Sequence, residues 1–131
     1  MTKISRDNIK KRGIKRFANS FKYSIEGLIY AYKNEQSLLI HFVATVFAVF
    51  LGILFGIEKW EWISVGLVLI IVLIVELFNT AIEATVDMVT LEINPLAKIA
   101  KDCGSAAAFV AAIAGTIICL TIFVPYFIAL F

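Results

Sequence analysis

Three long apolar stretches, separated by short polar segments, dominate the pattern of hydrophobic and polar positions along this chain. They cover residues 38–57, 62–90 and 104–126. At about 1.5 Å of rise per residue, a helix of about 20 apolar residues crosses the roughly 30 Å hydrocarbon core of a bilayer. Trp60 and Trp62 lie at the turn between the first two stretches, as is common at a membrane interface. The pattern predicts an all-α integral membrane protein with three transmembrane helices.

A different pattern precedes the first stretch. Residues 8–34 combine apolar side chains such as Phe17 with many lysines and arginines, which is typical of an amphipathic helix on an anionic membrane surface. Between the second and third stretches, Pro95 disfavours helical geometry at Asn94 and can itself begin a new helix. Pro125 is expected to bend or stop the third transmembrane helix.

Composition and charge support a membrane protein and predict its orientation. The 131 residues form one domain by length, and 61% of them are hydrophobic, well above the usual share in soluble domains. No charged side chain follows Asp102. Because basic residues favour the cytoplasmic side, we expect the N-terminal segment and residues 94–102 there, and residues 58–61 and the C-terminus outside. Nine of the 12 lysines and arginines precede residue 35: Lys3, Arg6, Lys10, Lys11, Arg12, Lys15, Arg16, Lys22 and Lys33.

Four polar residues interrupt the second stretch: Glu76, Asn79, Glu83 and Asp87. At about 100° per residue they share one helix face about 80° wide, which we call the polar stripe. Ionisable groups at membrane depth are expensive and usually mark a functional site. With the predicted orientation, the polar stripe opens toward the cytoplasm.

Oxygen-rich side chains at a cytoplasm-facing site suit Mg²⁺, which bridges phosphates, and a deeper carboxylate suits a general base. With nearby basic residues to hold phosphate oxygens, the set could transfer a phosphoryl group from ATP to a lipid alcohol. The chain has neither a P-loop nor a protein-kinase catalytic loop. Spacing alone also allows ion or proton translocation, or a structural polar seam between helices.

Several sequence motifs of the chain resemble those of a known protein family. The run from Glu76 to Asp87 (ELFNTAIEATVD), the run from Ala97 to Ser105 (AKIAKDCGS) and the upstream Asn34-Glu35 strongly resemble the small bacterial diacylglycerol kinase family. The likeness covers nearly the whole chain from about Arg16. It implies a homotrimer of three-span subunits in the bacterial plasma membrane, with an N-terminal surface helix and composite sites between protomers. No nucleic-acid partner is expected.

The resemblance also implies roles for single residues. Glu76 matches the general base that acts on the lipid hydroxyl, and Glu35 and Glu83 match the Mg²⁺ ligands that present ATP. Asn79, Lys101 and Asp102 match positions that line the nucleotide and phosphate site. Further positions near the nucleotide are matched by Arg16, Tyr23 and Asp87. A single histidine is more often a packed residue, so His41 is given no role.

Members of this family phosphorylate either diacylglycerol or undecaprenol. The run NPLAKIAKD, residues 94–102, looks more like the undecaprenol branch, whereas Gly104-Ser105-Ala106 resembles the diacylglycerol branch as much. The apolar Leu38-Leu39-Ile40 departs from the more polar diacylglycerol-branch stretch. We therefore expect undecaprenol as the substrate, with diacylglycerol as the alternative.

Overall fold

The computed structural model describes residues 14–131, and within them the chain forms four helices. These are α1 (Ile14–Asn34), α2 (Gln36–Phe55), α3 (Lys59–Val89) and α4 (Pro95–Ile128). Helices α2, α3 and α4 are long and apolar enough to cross a membrane. The all-α prediction with three candidate membrane spans is therefore confirmed, whereas residues 8–13 of the predicted surface helix lie outside the described residues.

The chain divides into two compact units, and the first ends at Asn34. Its helix α1 carries exposed apolar residues at helical spacing, including Phe17, Phe21 and Leu28. Phe17 and Phe21 contact each other edge to face, with ring centroids 5.2 Å apart. Cationic and polar residues occupy the rest of the helix, so its composition suits a membrane surface.

The second unit comprises residues 35–131 and contains the three candidate spans. Helix α2 ends at Gly56, whose φ of 61° is the left-handed conformation that glycine adopts without steric penalty. Helix α3 begins after Glu58, and the Glu58 backbone N–H donates to the Glu61 carboxylate at 2.8 Å. Asn94 caps α4, because its side-chain oxygen accepts from the Leu96 N–H at 2.9 Å.

Helices α3 and α4 form the most extensive helix–helix contact of this unit, and α2 packs chiefly on α3. The buried apolar core lies at the end of the bundle where α2 turns into α3 and α4 finishes. It comprises Ala48, Leu51, Ile57, Val65, Ile122 and Phe123. The polar stripe lies toward the opposite end of α3.

Pro125 does not stop α4, which runs on to Ile128. The last turn is held by side chains from other helices. Phe55 stacks on Tyr126, with ring centroids 5.8 Å apart, and contacts Phe127 edge to face, with ring centroids 4.8 Å apart. The Tyr126 hydroxyl also donates to Glu61 at 2.6 Å, so tertiary contacts outweigh the helix-breaking tendency of proline.

Candidate active site

Glu76 is the buried member of the polar stripe, with only 5% of its surface exposed. Each of its carboxylate oxygens meets a different side chain of α2. Ser37 Oγ donates to Glu76 Oε2 at 2.9 Å, and His41 Nε2 lies 3.1 Å from Glu76 Oε1. Because Ser37 and His41 are four residues apart, they lie one turn apart on the same face of α2.

Asn79 and Glu83 form the middle of the stripe and are both half-buried. Asn79 Nδ2 donates to Glu83 Oε1 at 3.1 Å. The other end of the amide, Asn79 Oδ1, is buried and makes no hydrogen bond. It faces α4 so closely that a Cβ built on Gly104 would lie 2.5 Å away. The absence of a side chain at Gly104 is what lets Asn79 fit between the two helices.

Asp87 lies at the exposed end of the stripe and pairs with Lys101 of α4, whose Nζ is 2.7 Å from Asp87 Oδ1. One turn away, Lys98 pairs with Asp102. All four line a cavity of about 370 Å³ at the α3–α4 junction. The Lys98–Asp102 pair is largely exposed and the Lys101–Asp87 pair is partly exposed, and exposed pairs contribute about 0–1 kcal/mol each. Phosphate oxygens could therefore replace the carboxylates as partners of the lysines at little cost.

The remaining candidate residues lie outside these contacts. Glu35 is half-buried and precedes α2, and its side chain makes no capping hydrogen bond. Arg16 and Tyr23 lie on α1, in the other unit, and their side chains are exposed. Their relation to the polar stripe stays a prediction.

The oxygen donors of the stripe fit a magnesium ion in kind. Mg²⁺ prefers hard oxygen ligands and is usually held by one or two carboxylates together with substrate phosphates. Glu83 offers a carboxylate, and Asn79 Oδ1 next to it is a buried oxygen without a donor. Among residues 14–131, no group of three or more His, Cys, Asp and Glu side chains is arranged to hold a metal ion.

Comparison of the sequence with known protein families identifies the family of this chain. The profile described as prokaryotic diacylglycerol kinase matches residues 22–123. The chain belongs to this family. It is therefore a multi-pass membrane protein and a lipid kinase, and a kinase uses ATP as its phosphoryl donor. The family resemblance of its motifs is confirmed.

Relatives of this kinase are named for two lipids. The diacylglycerol kinase of Pseudomonas aeruginosa is 42% identical over 99 residues, or 76% of this chain and 80% of its own. The undecaprenol kinase of Bacillus subtilis is 36% identical over 112 residues, or 86% and 91% of the two chains. The diacylglycerol kinase of Escherichia coli K12 is 34% identical over 105 residues, or 80% and 86%.

Two residues of the kinase that touch Glu76 escaped prediction from the sequence. The sequence assigns no role to His41, and Ser37 precedes the predicted first span by one residue. Their signal was a spacing of four, which Thr45 continues. Such a row of polar side chains on an otherwise apolar helix predicts a polar partner on a neighbouring helix. The spacing does not say which residue is this partner.

Proposed function

We propose that this lipid kinase transfers the γ-phosphate of ATP to the hydroxyl of undecaprenol. The reaction takes place at the cytoplasmic face of a bacterial plasma membrane, requires Mg²⁺ and yields undecaprenyl phosphate. The observation that carries the catalytic part is the Glu76 carboxylate, which is buried and hydrogen-bonded through both oxygens. Glu76 shares one helix face with Asn79, Glu83 and Asp87, which are more exposed. Asp87 in turn pairs with Lys101.

Glu76 acts as the general base in this proposal. It accepts the proton of the lipid hydroxyl while that oxygen forms a bond to the γ-phosphorus and the bond to ADP breaks. Burial supports this role, since a carboxylate shielded from water is free to bind the substrate hydroxyl instead. Each carboxylate oxygen has two lone pairs, so one hydrogen bond to α2 leaves room for the substrate.

ATP is bound by the other predicted site residues. Glu35 and Glu83 would hold Mg²⁺, which supplies neutralisation of the phosphate oxygens when bound. The side chains of Asn79, Lys101 and Asp102 line the phosphate site, and Lys101 exchanges its carboxylate partner for a phosphate oxygen. Arg16, Tyr23 and Asp87 contribute to nucleotide binding. The cavity of about 370 Å³ beside the two lysines supports this assignment.

We also propose that the kinase is a homotrimer whose sites lie between protomers. One observation supports an assembly. Less than a third of the residues in each apolar span are buried within one chain, so much of each span is left for lipid or other protomers. The basic N-terminal segment supports placing the N-terminus and the site in the cytoplasm, with the C-terminus outside.

Undecaprenol is favoured by the segment that begins α4. Residues 94–102 read NPLAKIAKD and lie at the mouth of the site, where Asn94 and Pro95 start the helix. The alignment with the undecaprenol kinase also covers more of both chains. Diacylglycerol is the second candidate, because the diacylglycerol kinase of Pseudomonas aeruginosa has the higher identity, 42% against 36%.

A direct comparison of the two lipids tests the proposal. Purified protein in mixed micelles is given radiolabelled ATP and Mg²⁺ with either undecaprenol or diacylglycerol. We expect faster phosphorylation of undecaprenol, and equal rates or a preference for diacylglycerol would refute the substrate assignment. Glu76→Gln should lower the rate about a hundredfold or more, because general base catalysis contributes about 10²–10⁴-fold. A fully active Glu76→Gln variant would exclude Glu76 as the base.

A further inference from the structure

A row of polar side chains runs along α2 and meets the polar stripe of α3 at one point. Ser37, His41 and Thr45 follow each other at intervals of four residues in an otherwise apolar helix. Thr45 Oγ1 donates to the backbone oxygen of His41 at 2.8 Å. Ser37 and His41 instead reach across to Glu76. Within this row, Ser37 and His41 therefore contact the Glu76 carboxylate, and Thr45 does not.

The two contacts have a defined direction when Glu76 is ionised. A carboxylate has no proton to donate, so it accepts both hydrogen bonds. Ser37 then donates its hydroxyl proton, and His41 donates from Nε2. The donors approach different oxygens, Oε2 and Oε1, and both belong to one face of α2. Together they fix the plane of the carboxylate as well as its position.

We propose that His41, assisted by Ser37, is the positioning residue that holds the Glu76 carboxylate in the orientation needed to accept the proton of the lipid hydroxyl. This inference rests on the proposed role of Glu76 as the base. A glutamate side chain has three rotatable bonds, and a base must lie within hydrogen-bond reach of the proton it removes. Holding it in one orientation raises the fraction of complexes that can react. His41 does not need to touch the lipid or ATP.

The test uses His41→Leu, which removes the donor, and His41→Gln, whose amide can donate from a similar place. We expect His41→Leu to lower kcat by about ten- to a hundredfold, in line with the value of a hydrogen bond to a charged group. The KM values for ATP and lipid should stay within about twofold of the parent. His41→Gln should recover most of the lost kcat. Thr45→Val, on the same helix row but without contact to Glu76, should keep the parent kcat.

Ser37→Ala provides a second measurement that holds even if His41→Leu does not fold. It removes the other donor with a small change in volume, and we expect a severalfold to tenfold loss of kcat with unchanged KM. Ser37→Thr, which keeps the hydroxyl, should be closer to the parent. A parent-like kcat in both His41→Leu and Ser37→Ala would overturn the proposal. So would a loss that His41→Gln does not recover, since that indicates packing alone.

A double-substitution cycle separates positioning from general damage to the fold. In a Glu76→Asp background the shortened carboxylate no longer reaches α2 in the same way. His41→Leu should then lower kcat by much less than it does in the parent. An equal loss in both backgrounds would overturn the positioning role. If the parent itself phosphorylates no lipid, or if Glu76→Gln is fully active, the proposed function fails instead, and the two failures are thus distinguishable.

Discussion

Gly104→Ala should disturb both stability and catalysis, because it adds one methyl group at the closest approach of α3 and α4. The new Cβ would lie 2.5 Å from Asn79 Oδ1, whereas its next neighbour, Ile82 Cδ1, is at 3.5 Å. Asn79 cannot simply rotate away, since its Nδ2 is hydrogen-bonded to Glu83 at 3.1 Å. Either the amide leaves Glu83 or the two helices move apart.

Both responses have similar costs. Loss of a hydrogen bond to a charged group costs about 1.5–3 kcal/mol, and overpacking of a tight contact costs about 1–3 kcal/mol. Replacing glycine by alanine inside a helix returns about 0.5–1 kcal/mol. For Gly104→Ala we therefore expect a net loss of about 1–2 kcal/mol in the free energy of unfolding. If Asn79 lines the phosphate site, the KM for ATP should rise as well.

Thermal unfolding in detergent micelles and ATP-dependent lipid phosphorylation measure the two effects. Gly66→Ala is the matched control, because nothing lies within 4 Å of its added Cβ. It should be as stable as the parent or more so. In an Asn79→Ala background the obstructing oxygen is gone, and Gly104→Ala should then cost nothing. A Gly104→Ala protein with the stability and activity of Gly66→Ala would refute the reasoning.

Three further substitutions distinguish the two ends of the bundle. Gly52→Ala should lower the unfolding temperature by several degrees, because its Cβ would lie 2.6 Å from the rigid ring of Trp62. The KM values of the protein that remains folded should not change, and a changed KM would contradict this prediction. Glu83→Gln should raise the Mg²⁺ concentration for half-maximal activity, since the amide oxygen is a weaker ligand than a carboxylate, and an unchanged Mg²⁺ titration would exclude Glu83 as a ligand. Lys101→Ala should raise the KM for ATP at least tenfold with little change in unfolding temperature, because its pair with Asp87 is partly exposed to solvent. An unaltered KM would exclude Lys101 from the phosphate site.

Much of the fold could be predicted because bilayer thickness and backbone polarity leave few solutions. The length of the apolar stretches predicts the three spans, and Asn94-Pro95 predicts the break between the last two helices. The start of α3 at Lys59 was less visible, since it depends on the hydrogen bond between Glu58 and Glu61. The continuation of α4 past Pro125 depends on contacts between helices, which local preferences do not report.

The candidate site was predictable on one helix and not across helices. The 3.6-residue period places Glu76 and Glu83 on one face whatever surrounds them. Which residues of α2 meet Glu76 depends on the rotation of that helix about its own axis, and packing decides this rotation. The same limit hid the contact between Gly104 and Asn79. Small residues in the last span predicted close approach, but not the residue approached.

The separation between the apolar core and the polar stripe has a consequence for how this protein can change over evolution. The core holds the bundle together at the α2–α3 turn through residues such as Leu51 and Phe123. Substitutions in residues 94–102, the segment proposed to favour undecaprenol, act at the other end, where most side chains are exposed. Substrate preference can thus drift through replacements at one end while the other keeps the chain folded. Such a protein can acquire a new lipid without first becoming more stable.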